Sequence, residues 1–136
     1  MVQINPYLNF NGNCREAMLF YQSCLGGDLT LQPLAESPMA AQMPSESGNL
    51  ILHGALQKNG TTLLLGSDMI GAHRTNGNAV TLSLYCHSKE ETRRCFNRLA
   101  SGGEILEPLH QTFWGATFGR LTDKFGNHWL FHFTKQ

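Results

Sequence analysis

Charged side chains are scarce in this sequence. Lys, Arg, Asp and Glu make up 15% of the 136 residues, and 10 basic residues balance 10 acidic ones, so the formal net charge is zero. No basic block or stripe is present, although such a stripe marks most proteins that bind nucleic acid. We therefore expect no nucleic acid among the partners of this protein.

Long apolar runs are missing as well. No segment approaches the roughly 20 apolar residues that a membrane helix needs. The opening residues, MVQINPYLNF, lack the basic flank and the apolar stretch of a secretory signal peptide. The sequence therefore predicts no membrane association and a cytoplasmic location. Its length suits a single domain over residues 1–136.

The motifs of several common sites are absent. The sequence has no G-x-S-x-G, Walker A or dinucleotide-binding phrase. Its four cysteines, Cys14, Cys24, Cys86 and Cys95, include no C-x-x-C pair, so a zinc knuckle is not expected. Cytoplasmic thiols stay reduced. Cys24 and Cys95 fall on the apolar faces of predicted helices, where a thiol acts as a small buried hydrophobe.

The stretch DKFGNHWLFHF carries His128 and His132 four positions apart. On a helix this spacing would bring both imidazoles to one metal ion. The residues between them, Trp129, Leu130 and Phe131, are strand formers, and on a strand the two histidines share a face about 13 Å apart. Because zinc ligands lie about 2 Å from the ion, the stretch predicts a strand and not a metal-binding pair.

An ordered internal repeat organises the chain. Two amphipathic helices are predicted, NCREAMLFYQSCLGG and SKEETRRCFNRLASGG, with capping boxes formed by Asn13 with Glu16 and by Ser88 with Glu91. A strand-like run precedes each helix, and Gly-Gly, an acid and further strand-like runs follow it. Each half thus reads strand, helix, strand, strand, strand, with module one at about 1–70 and module two at about 78–136.

Module one also holds an insert at residues 35–49, AESPMAAQMPSESGN, which is rich in Pro, Ser and Met. Loops of this kind lie on the surface, and some of them close over a binding site. The insert is therefore either a lid or a plain surface connection.

The repeat and several phrases resemble a known superfamily. The twofold β-α-β-β-β order, together with YLNFNGNCREAMLFY, LGSDM and QTFWGATFGRLTDKFGNHW, is similar to the vicinal oxygen chelate superfamily. That superfamily includes glyoxalase I, extradiol dioxygenases and bleomycin-resistance proteins, and the phrases resemble its PhnB-like branch most closely. The resemblance implies an α+β fold, in which two β-α-β-β-β modules form curved mixed sheets around a cavity, and it implies a homodimer.

Alternation along each strand predicts which side chains face that cavity. The residues predicted to face inward are Asn5, Tyr7, Asn9, Thr62, Leu64, Gly66, Asp68, Ala79, Thr81, Ser83, Tyr85, His128, Leu130 and His132. The residues between them are predicted to pack beneath the helices, and these include Leu63, Leu65, Val80 and Phe131.

Metal-dependent members of the superfamily carry one metal ligand on each of four strands, typically His or Gln, Glu, His and Glu. The matching positions here are Asn5, Leu64, Ala79 and Leu130. Three of these side chains are alkyl groups without a lone pair, so they cannot hold a divalent ion. This departure from the family pattern predicts a metal-independent protein with no metal ligands and no cofactor.

The side chains predicted to bind a ligand combine aromatic surface with a few polar groups, which suits a small organic molecule. They are Tyr7, Asn9, His53, Asp68, Ser83, Tyr85, Trp114 and Phe118. The alternative is that these side chains simply fill the cup. His53 is the candidate general base, with Asp68 as its hydrogen-bond partner. Trp114 either stacks on a ligand or packs in the core or a dimer.

The predicted function is the binding of a small organic molecule in a cup that lacks the usual metal ligands, as in a sequestering, resistance-type protein. The alternative is an enzyme. It would be a lyase or isomerase of glyoxalase or dioxygenase type with atypical metal ligands, or an acid–base catalyst that uses His53 and Asp68. Both a binder and an enzyme are consistent with the sequence.

Overall fold

The computed structural model describes residues 2–43 and 48–134. Its α-helices and strands are β1 Tyr7–Phe10, α1 Cys14–Leu25, β2 Asp28–Pro33, β3 Ile51–Lys58, β4 Thr61–Asp68, β5 Leu82–Leu84, α2 Lys89–Ala100, β6 Glu104–Gln111, β7 Ala116–Thr122 and β8 His128–Thr134. This order matches the predicted repeat of one strand, one helix and three strands.

The chain forms two compact units, unit one at residues 1–75 and unit two at residues 76–136. Each unit has one helix and one 4-stranded mixed sheet, with the order β1-β4-β3-β2 in unit one and β5-β8-β7-β6 in unit two. In both sheets the first strand is parallel to the last, and the other neighbours are antiparallel. The α+β fold of two β-α-β-β-β modules is therefore confirmed.

Each helix turns one buried stripe toward its sheet, as the sequence predicts. The buried residues of α1 are Cys14, Ala17, Met18, Tyr21 and Cys24, and those of α2 are Thr92, Cys95, Phe96 and Leu99. Full burial of a Leu, Met or Phe side chain contributes about 1.5–3 kcal/mol. These stripes are therefore the main force that holds each helix on its sheet.

Both helices are short. Each has 12 residues, and at the usual rise per residue that makes about 18 Å. Among the residues that the structure describes, no helix combines the length and the apolar character needed to cross a bilayer.

The start of α2 follows the predicted capping box. Ser88 Oγ accepts a hydrogen bond from the backbone N–H of Glu91 at 3.0 Å. The Glu91 carboxylate reaches back and accepts the N–H of His87, also at 3.0 Å. Two N–H groups that the helix itself cannot satisfy are thus bonded by side chains of the first turn and its cap.

The start of α1 does not follow its predicted capping box. Within the described part of the chain, the Asn13 side chain makes no cap hydrogen bond, so that prediction is wrong. The Asp68 carboxylate at the end of β4 accepts the N–H groups of Gly12 and Cys14 at 2.9 and 3.0 Å instead. A carboxylate at a helix N-terminus also interacts favourably with the helix dipole. A residue of the sheet therefore caps this helix.

Two glycines let α1 lie close to the sheet of unit one. Gly54 of β3 and Gly66 of β4 are partners in the strand pairing. A Cβ on Gly66 would lie 3.0 Å from Met18 Sδ and 3.3 Å from the Phe10 ring. Side chains at these two positions would push the helix away from the strands. The face of β4 that carries Gly66 is therefore the face that α1 covers.

This contact overturns the predicted orientation of β4. Leu64 and Asp68 are only 2% and 3% exposed, so they share the covered face with Gly66. The expectation that Leu63 and Leu65 pack under the helix, with Leu64 turned inward, is wrong. The run of three leucines is apolar on both faces and carries no alternation, so the helix-contacting glycine decides the orientation.

The predicted strand NAVTLSLYC is shorter than expected. Only Leu82–Leu84 form β5, which pairs in parallel with β8. Val80 lies before the strand and is 71% exposed, so its predicted packing beneath the helix is wrong. Ala79 and Thr81 also precede the strand and are exposed. Because Ala79 and Thr81 have no partner on a neighbouring strand, strand alternation does not place them on either face of the sheet.

Part of the insert in unit one folds as two short 3-10 helices, Leu34–Glu36 and Pro38–Gln42. The Ser37 hydroxyl joins them, because it donates to the carbonyl of Leu34 at 2.8 Å and accepts the N–H of Met39 at 3.3 Å. Leu34 is buried and Met39 is exposed. Residues 44–47 of the insert lie outside the described residues, and its role as a lid stays a prediction.

All four cysteines are buried free thiols. Burial and the nearby Asp68 carboxylate raise the pKa of Cys14 from its ordinary 9.0 to about 12. A hydrogen bond with the Cys95 side chain, and burial after it, raise the pKa of Cys86. Both thiols therefore stay protonated at neutral pH, whereas a nucleophilic cysteine must be a thiolate.

We expect the protein to lose stability as the pH rises from about 9 to 12, in part through Cys14. The unfolded chain releases the Cys14 proton near 9.0, while the folded chain holds it up to about 12. The contribution is fully present below the lower value and is lost as the pH rises toward the higher one, by about 1.4 kcal/mol per pH unit. Urea unfolding measures this, and C14A should show a shallower decline. Equal slopes for C14A and the native protein would contradict the assignment.

Candidate functional site

Each sheet has one face beneath its helix and a second face, called here the open face. The open face of unit one carries Tyr7, Asn9, Asp28, Thr30, Gln32, His53, Ala55, Leu65 and Ser67. Strand pairing places Leu65 between Tyr7 and Ala55. Asp28, which pairs with Gln57 at the start of β2, is the one acidic residue in this set. The rest of the set consists of uncharged polar, aromatic and aliphatic groups and the imidazole of His53.

Three residues predicted to bind a ligand, Tyr7, Asn9 and His53, lie on this open face. The Tyr7 and His53 rings are tilted by 37° with centroids 6.3 Å apart. The Ser67 hydroxyl is turned to the backbone, where it donates to the Leu52 carbonyl at 2.8 Å. Across residues 2–43 and 48–134, no hydrogen bond to the His53 imidazole is found. Both of its nitrogens are therefore available to a ligand.

Asp68 lies on the covered face, contrary to its prediction as a cup residue. Besides the two N–H groups at the start of α1, its carboxylate accepts the N–H of Ile51 at 2.8 Å. Its oxygens are thus occupied by the backbone on the side of the sheet away from His53. The predicted hydrogen bond between His53 and Asp68 is not formed in the described structure, and acid–base chemistry by this pair loses its geometric basis.

The open face of unit two has a different character. It carries Ser83, Tyr85, Glu104, Glu107, His110, Phe118, Arg120, Thr122, His128, Leu130 and His132. One line of strand partners runs from Glu107 through Arg120 and Leu130 to Ser83. A second line runs from His110 through Phe118 to His132. Charged and aromatic side chains therefore lie in adjacent lines on the same face.

The second line, continued by Tyr85, is called here the aromatic row. The His110 ring meets the edge of Phe118 at a centroid distance of 6.0 Å, and His132 lies 6.3 Å from Tyr85. The Tyr85 hydroxyl donates to the carbonyl of Thr134 at 3.0 Å, which fixes the ring, yet Tyr85 is still 52% exposed. The aromatic row thus offers ordered ring surface that stays partly exposed in the described structure.

Glu107, His110 and Arg120 form an ionic cluster beside the aromatic row. Arg120 Nε donates to Glu107 Oε1 at 3.3 Å, and His110 Nε2 lies 3.5 Å from Glu107 Oε2. The Arg120 and His110 side chains are each 46% exposed. Partly exposed pairs of this kind contribute about 0–1 kcal/mol to stability, so packing does not require these residues here.

The two ring nitrogens of His110 have separate neighbours within the ionic cluster. Its Nδ1 lies 2.9 Å from the carbonyl oxygen of Pro108, which can only accept, so Nδ1 donates. Its Nε2 lies 3.5 Å from Oε2 of Glu107. Arg120 and His110 therefore approach the same carboxylate, one at each of its oxygens.

The two histidines of the last strand have separate partners. Both lie on β8, which confirms the strand prediction. His128 Nδ1 bonds to Thr122 Oγ1 at 2.8 Å and its Nε2 to the Gly77 carbonyl at 2.7 Å. His132 lies beside Tyr85 in the aromatic row. His128 is therefore engaged with its own unit, whereas His132 contributes to the surface that a ligand would meet.

Trp114 occupies the tip of the hairpin between β6 and β7. The turn is closed by the N–H of Gly115, which donates to Thr112 O at 3.1 Å. The Phe113 and Trp114 rings meet edge to face at 4.9 Å and are 97% and 57% exposed. Trp114 therefore does not pack in the core of unit two, and its contact with a ligand or a second copy stays a prediction.

The donor set does not fit a divalent metal of the kind that relatives use. Strand pairing puts alkyl side chains at the open-face positions of β4 and β8, Leu65 beside Tyr7 and Leu130 beside Ser83. In the part of the chain that the structure describes, no three His, Cys, Asp or Glu side chains converge. Divalent ions in proteins need such oxygen, nitrogen or sulfur donors. We therefore derive no step through a metal.

Residues 107, 110, 120 and 132 were not among those predicted to bind a ligand, although they surround predicted Phe118. A signal for one of them is present in the sequence, since Arg120 follows Phe118 by two positions on a strand and must share its face. Glu107 and His110 belong to another strand, where the pairing with β7 shifts twice within β6. Such irregularities leave no trace in a pattern of apolar residues.

The fold, the repeat and these open faces define the class of protein. The chain belongs to the Glyoxalase/Bleomycin resistance protein/Dioxygenase superfamily, whose family model matches residues 3–131. Among individual proteins, it is 33% identical to protein YjdN of Escherichia coli K12, over 98% of this chain and 96% of that protein.

Two solved structures extend the comparison. Protein PA1353 from Pseudomonas aeruginosa is 39% identical, with 100% of both chains covered and a TM-score of 0.86. The PhnB protein from Bacillus cereus is 26% identical over 98% of this chain and 100% of that chain, with a TM-score of 0.76. The predicted resemblance to the superfamily and to its PhnB-like branch is thus confirmed.

Proposed function

We propose that this protein binds a small organic molecule against the open face of unit two, without a metal. The aromatic row carries the proposal. Tyr85, Phe118 and His132 are held in place by their neighbours, and among the described residues Tyr85 is half exposed while Phe118 and His132 are partly exposed. Covering apolar surface contributes about 25 cal/mol per Å², and aromatic contacts add about 0.5–1.5 kcal/mol. A flat apolar molecule would gain both contributions.

The polar groups around the aromatic row support recognition of a particular molecule. Ligand sites combine apolar walls with a few polar groups that fix the orientation of the ligand. Ser83 and Arg120 lie one line away from the row on the same face. On unit one, Tyr7 and the His53 imidazole, which has no hydrogen bond among the described residues, offer a second surface without Lys or Arg. Asp68 is thus no longer a candidate for ligand binding. The candidates that remain are Tyr7, Asn9, His53, Ser83, Tyr85, Trp114 and Phe118.

The binding test uses 2-naphthamide, a neutral two-ring probe, with isothermal titration calorimetry. We expect the native protein to bind it and F118A to bind it about tenfold more weakly. Stacking of an aromatic side chain on a planar ring of this size contributes about 1–3 kcal/mol. F113A is the matched control, since it removes an exposed phenyl ring from the hairpin tip. Equal losses in F118A and F113A, or no binding of millimolar probe by the native protein, would refute the proposal.

The homodimer and the cytoplasmic location stay predictions from the sequence. Metal analysis of protein purified without chelator would separate binding from the enzymatic alternative. Stoichiometric metal would favour a lyase or isomerase with atypical ligands, against the donor set described above. A monomer in analytical ultracentrifugation would contradict the predicted dimer.

A further inference from the structure

We propose that the ligand of unit two is an aromatic carboxylate, with its carboxylate bound by Arg120 and its rings on the aromatic row. The inference rests on the binding function proposed above and names the chemical class of the ligand. It follows from the free donors of Arg120, the positions of the neighbouring acids and the position of Phe118.

Arg120 has N–H donors that Glu107 does not use. Its Nε is bonded to Glu107, and among the described residues no partner is found for its two terminal nitrogens. The side chain is 46% exposed. A guanidinium presents its N–H groups in a planar fork that matches the two oxygens of a carboxylate. The edge of Arg120 that Glu107 leaves unused can therefore bind a carboxylate from solution.

The acids near Arg120 do not occupy its terminal nitrogens in the described structure. Both oxygens of Glu107 already have neighbours, one Arg120 and the other His110. The other acid on this face, Glu104, pairs with Thr122 on the side of Arg120 away from the aromatic row. A carboxylate that approaches along the row therefore reaches the terminal nitrogens of Arg120 before it reaches Glu104.

Phe118 stands where the rings of such a ligand would lie. It precedes Arg120 by two positions on β7, so the two side chains share a face about 6–7 Å apart. His132 flanks Phe118, and Leu130 flanks Arg120. A two-ring acid lying along β7 would contact the aromatic row and Leu130 with its rings while its carboxylate meets the guanidinium.

The open face of unit one offers no equivalent site. Its residues include no Lys or Arg, and His53 is its one titratable imidazole among the residues described. Any preference of the protein for an anionic over a neutral ligand should therefore depend on Arg120. That dependence distinguishes this inference from binding by aromatic contact alone.

The test compares three probes of equal shape, 2-naphthoate, 2-naphthamide and 2-naphthylmethylammonium, by calorimetry on the full chain. We expect 2-naphthoate to bind about tenfold more tightly than 2-naphthamide, and the ammonium probe most weakly. R120Q should weaken 2-naphthoate about tenfold and leave 2-naphthamide within about twofold. E107Q should tighten 2-naphthoate about threefold, because it removes the competing carboxylate. R94Q, an exposed arginine of α2, is the matched control and should bind all three probes like the native protein.

Each outcome separates the inference from the function on which it rests. Tight binding of 2-naphthamide with no preference for 2-naphthoate would overturn the carboxylate and leave the binding function intact. So would a preference for the ammonium probe, or an equal loss of all three probes in R120Q. If the native protein bound none of the three, both proposals would fail. Circular dichroism of R120Q and E107Q checks that each variant keeps the native fold.

Discussion

Replacement of Gly103 by alanine is expected to lower the free energy of unfolding by about 3 kcal/mol or more. Gly103 precedes β6, whose first residue, Glu104, pairs with Thr122 of β7. A Cβ on Gly103 would overlap the Thr122 carbonyl oxygen and lie 2.9 Å from both Cα and C of Asp123. Because these are backbone atoms, no side chain can rotate away and the two strands must separate. Urea unfolding followed by circular dichroism measures the loss.

Two nearby glycines are matched controls for G103A. A Cβ on Gly77 would meet no atom within 4 Å, so G77A should change stability by less than about 0.5 kcal/mol. Gly102 has a φ of +76° and only Lys124 side-chain atoms as its nearest neighbours. G102A should therefore cost about 1–2 kcal/mol through backbone strain. If G103A proved no less stable than G102A, the close approach of the backbones would not explain Gly103.

The same arrangement recurs in unit one. Gly27 precedes β2, whose first residue, Asp28, pairs with Gln57 of β3. A Cβ on Gly27 would lie 2.5 Å from the Gln57 carbonyl oxygen, and its φ is +97°. We expect G27A to lose at least as much stability as G103A. The second glycine of each Gly-Gly pair thus allows the same close approach of two backbones. The internal repeat is therefore seen in these backbone contacts as well as in the sequence.

Replacement of Asp68 by alanine is the second large effect, with an expected loss of about 4 kcal/mol. The carboxylate is 3% exposed and accepts N–H groups from Gly12, Cys14 and Ile51. Without it these donors stay in a buried region, and each unsatisfied buried donor costs about 1–3 kcal/mol. Urea unfolding of D68A measures the effect, and a loss below about 1 kcal/mol would mean that water replaces the carboxylate.

D68N separates this structural role from the predicted role in ligand binding. The amide keeps one acceptor oxygen, so some of the three bonds survive and the expected loss is about 2 kcal/mol. Because Asp68 lies on the covered face, folded D68N should bind 2-naphthamide like the native protein. A D68N variant of native stability that no longer bound the probe would show that Asp68 contacts ligand after all.

The helices and the repeat could be predicted because local chemistry determines them. Ser88 caps α2 through its own first turn, and the stripe of Phe96 and Leu99 follows the helical period. The cap of α1 could not be predicted, because Asp68 reaches it from a strand more than fifty positions away. The face of β4 could have been predicted from Gly66, since a glycine inside a strand often marks close contact with another element.

The candidate site could be predicted only in part, for a related reason. Tyr7, Tyr85 and Phe118 are aromatic residues on strands, so their presence on the open faces follows from alternation. The ionic cluster depends on which residues of β6 stand beside Arg120, and two shifts of register decide that. Glu107 and His110 therefore become neighbours of Arg120 through tertiary structure, although neither lies near it in sequence.

The pairing of the first strand of each unit with the last has a consequence for how the chain acquires its structure. Tyr7 pairs with Leu65, and Leu82 pairs with Trp129. β1 and β5 thus have no neighbour in their own sheet until the strand made last in that unit is available. During synthesis each unit should therefore complete its sheet only after its last strand has been made. A chain truncated before β4 would lack β4 itself and also the strand with which β1 pairs.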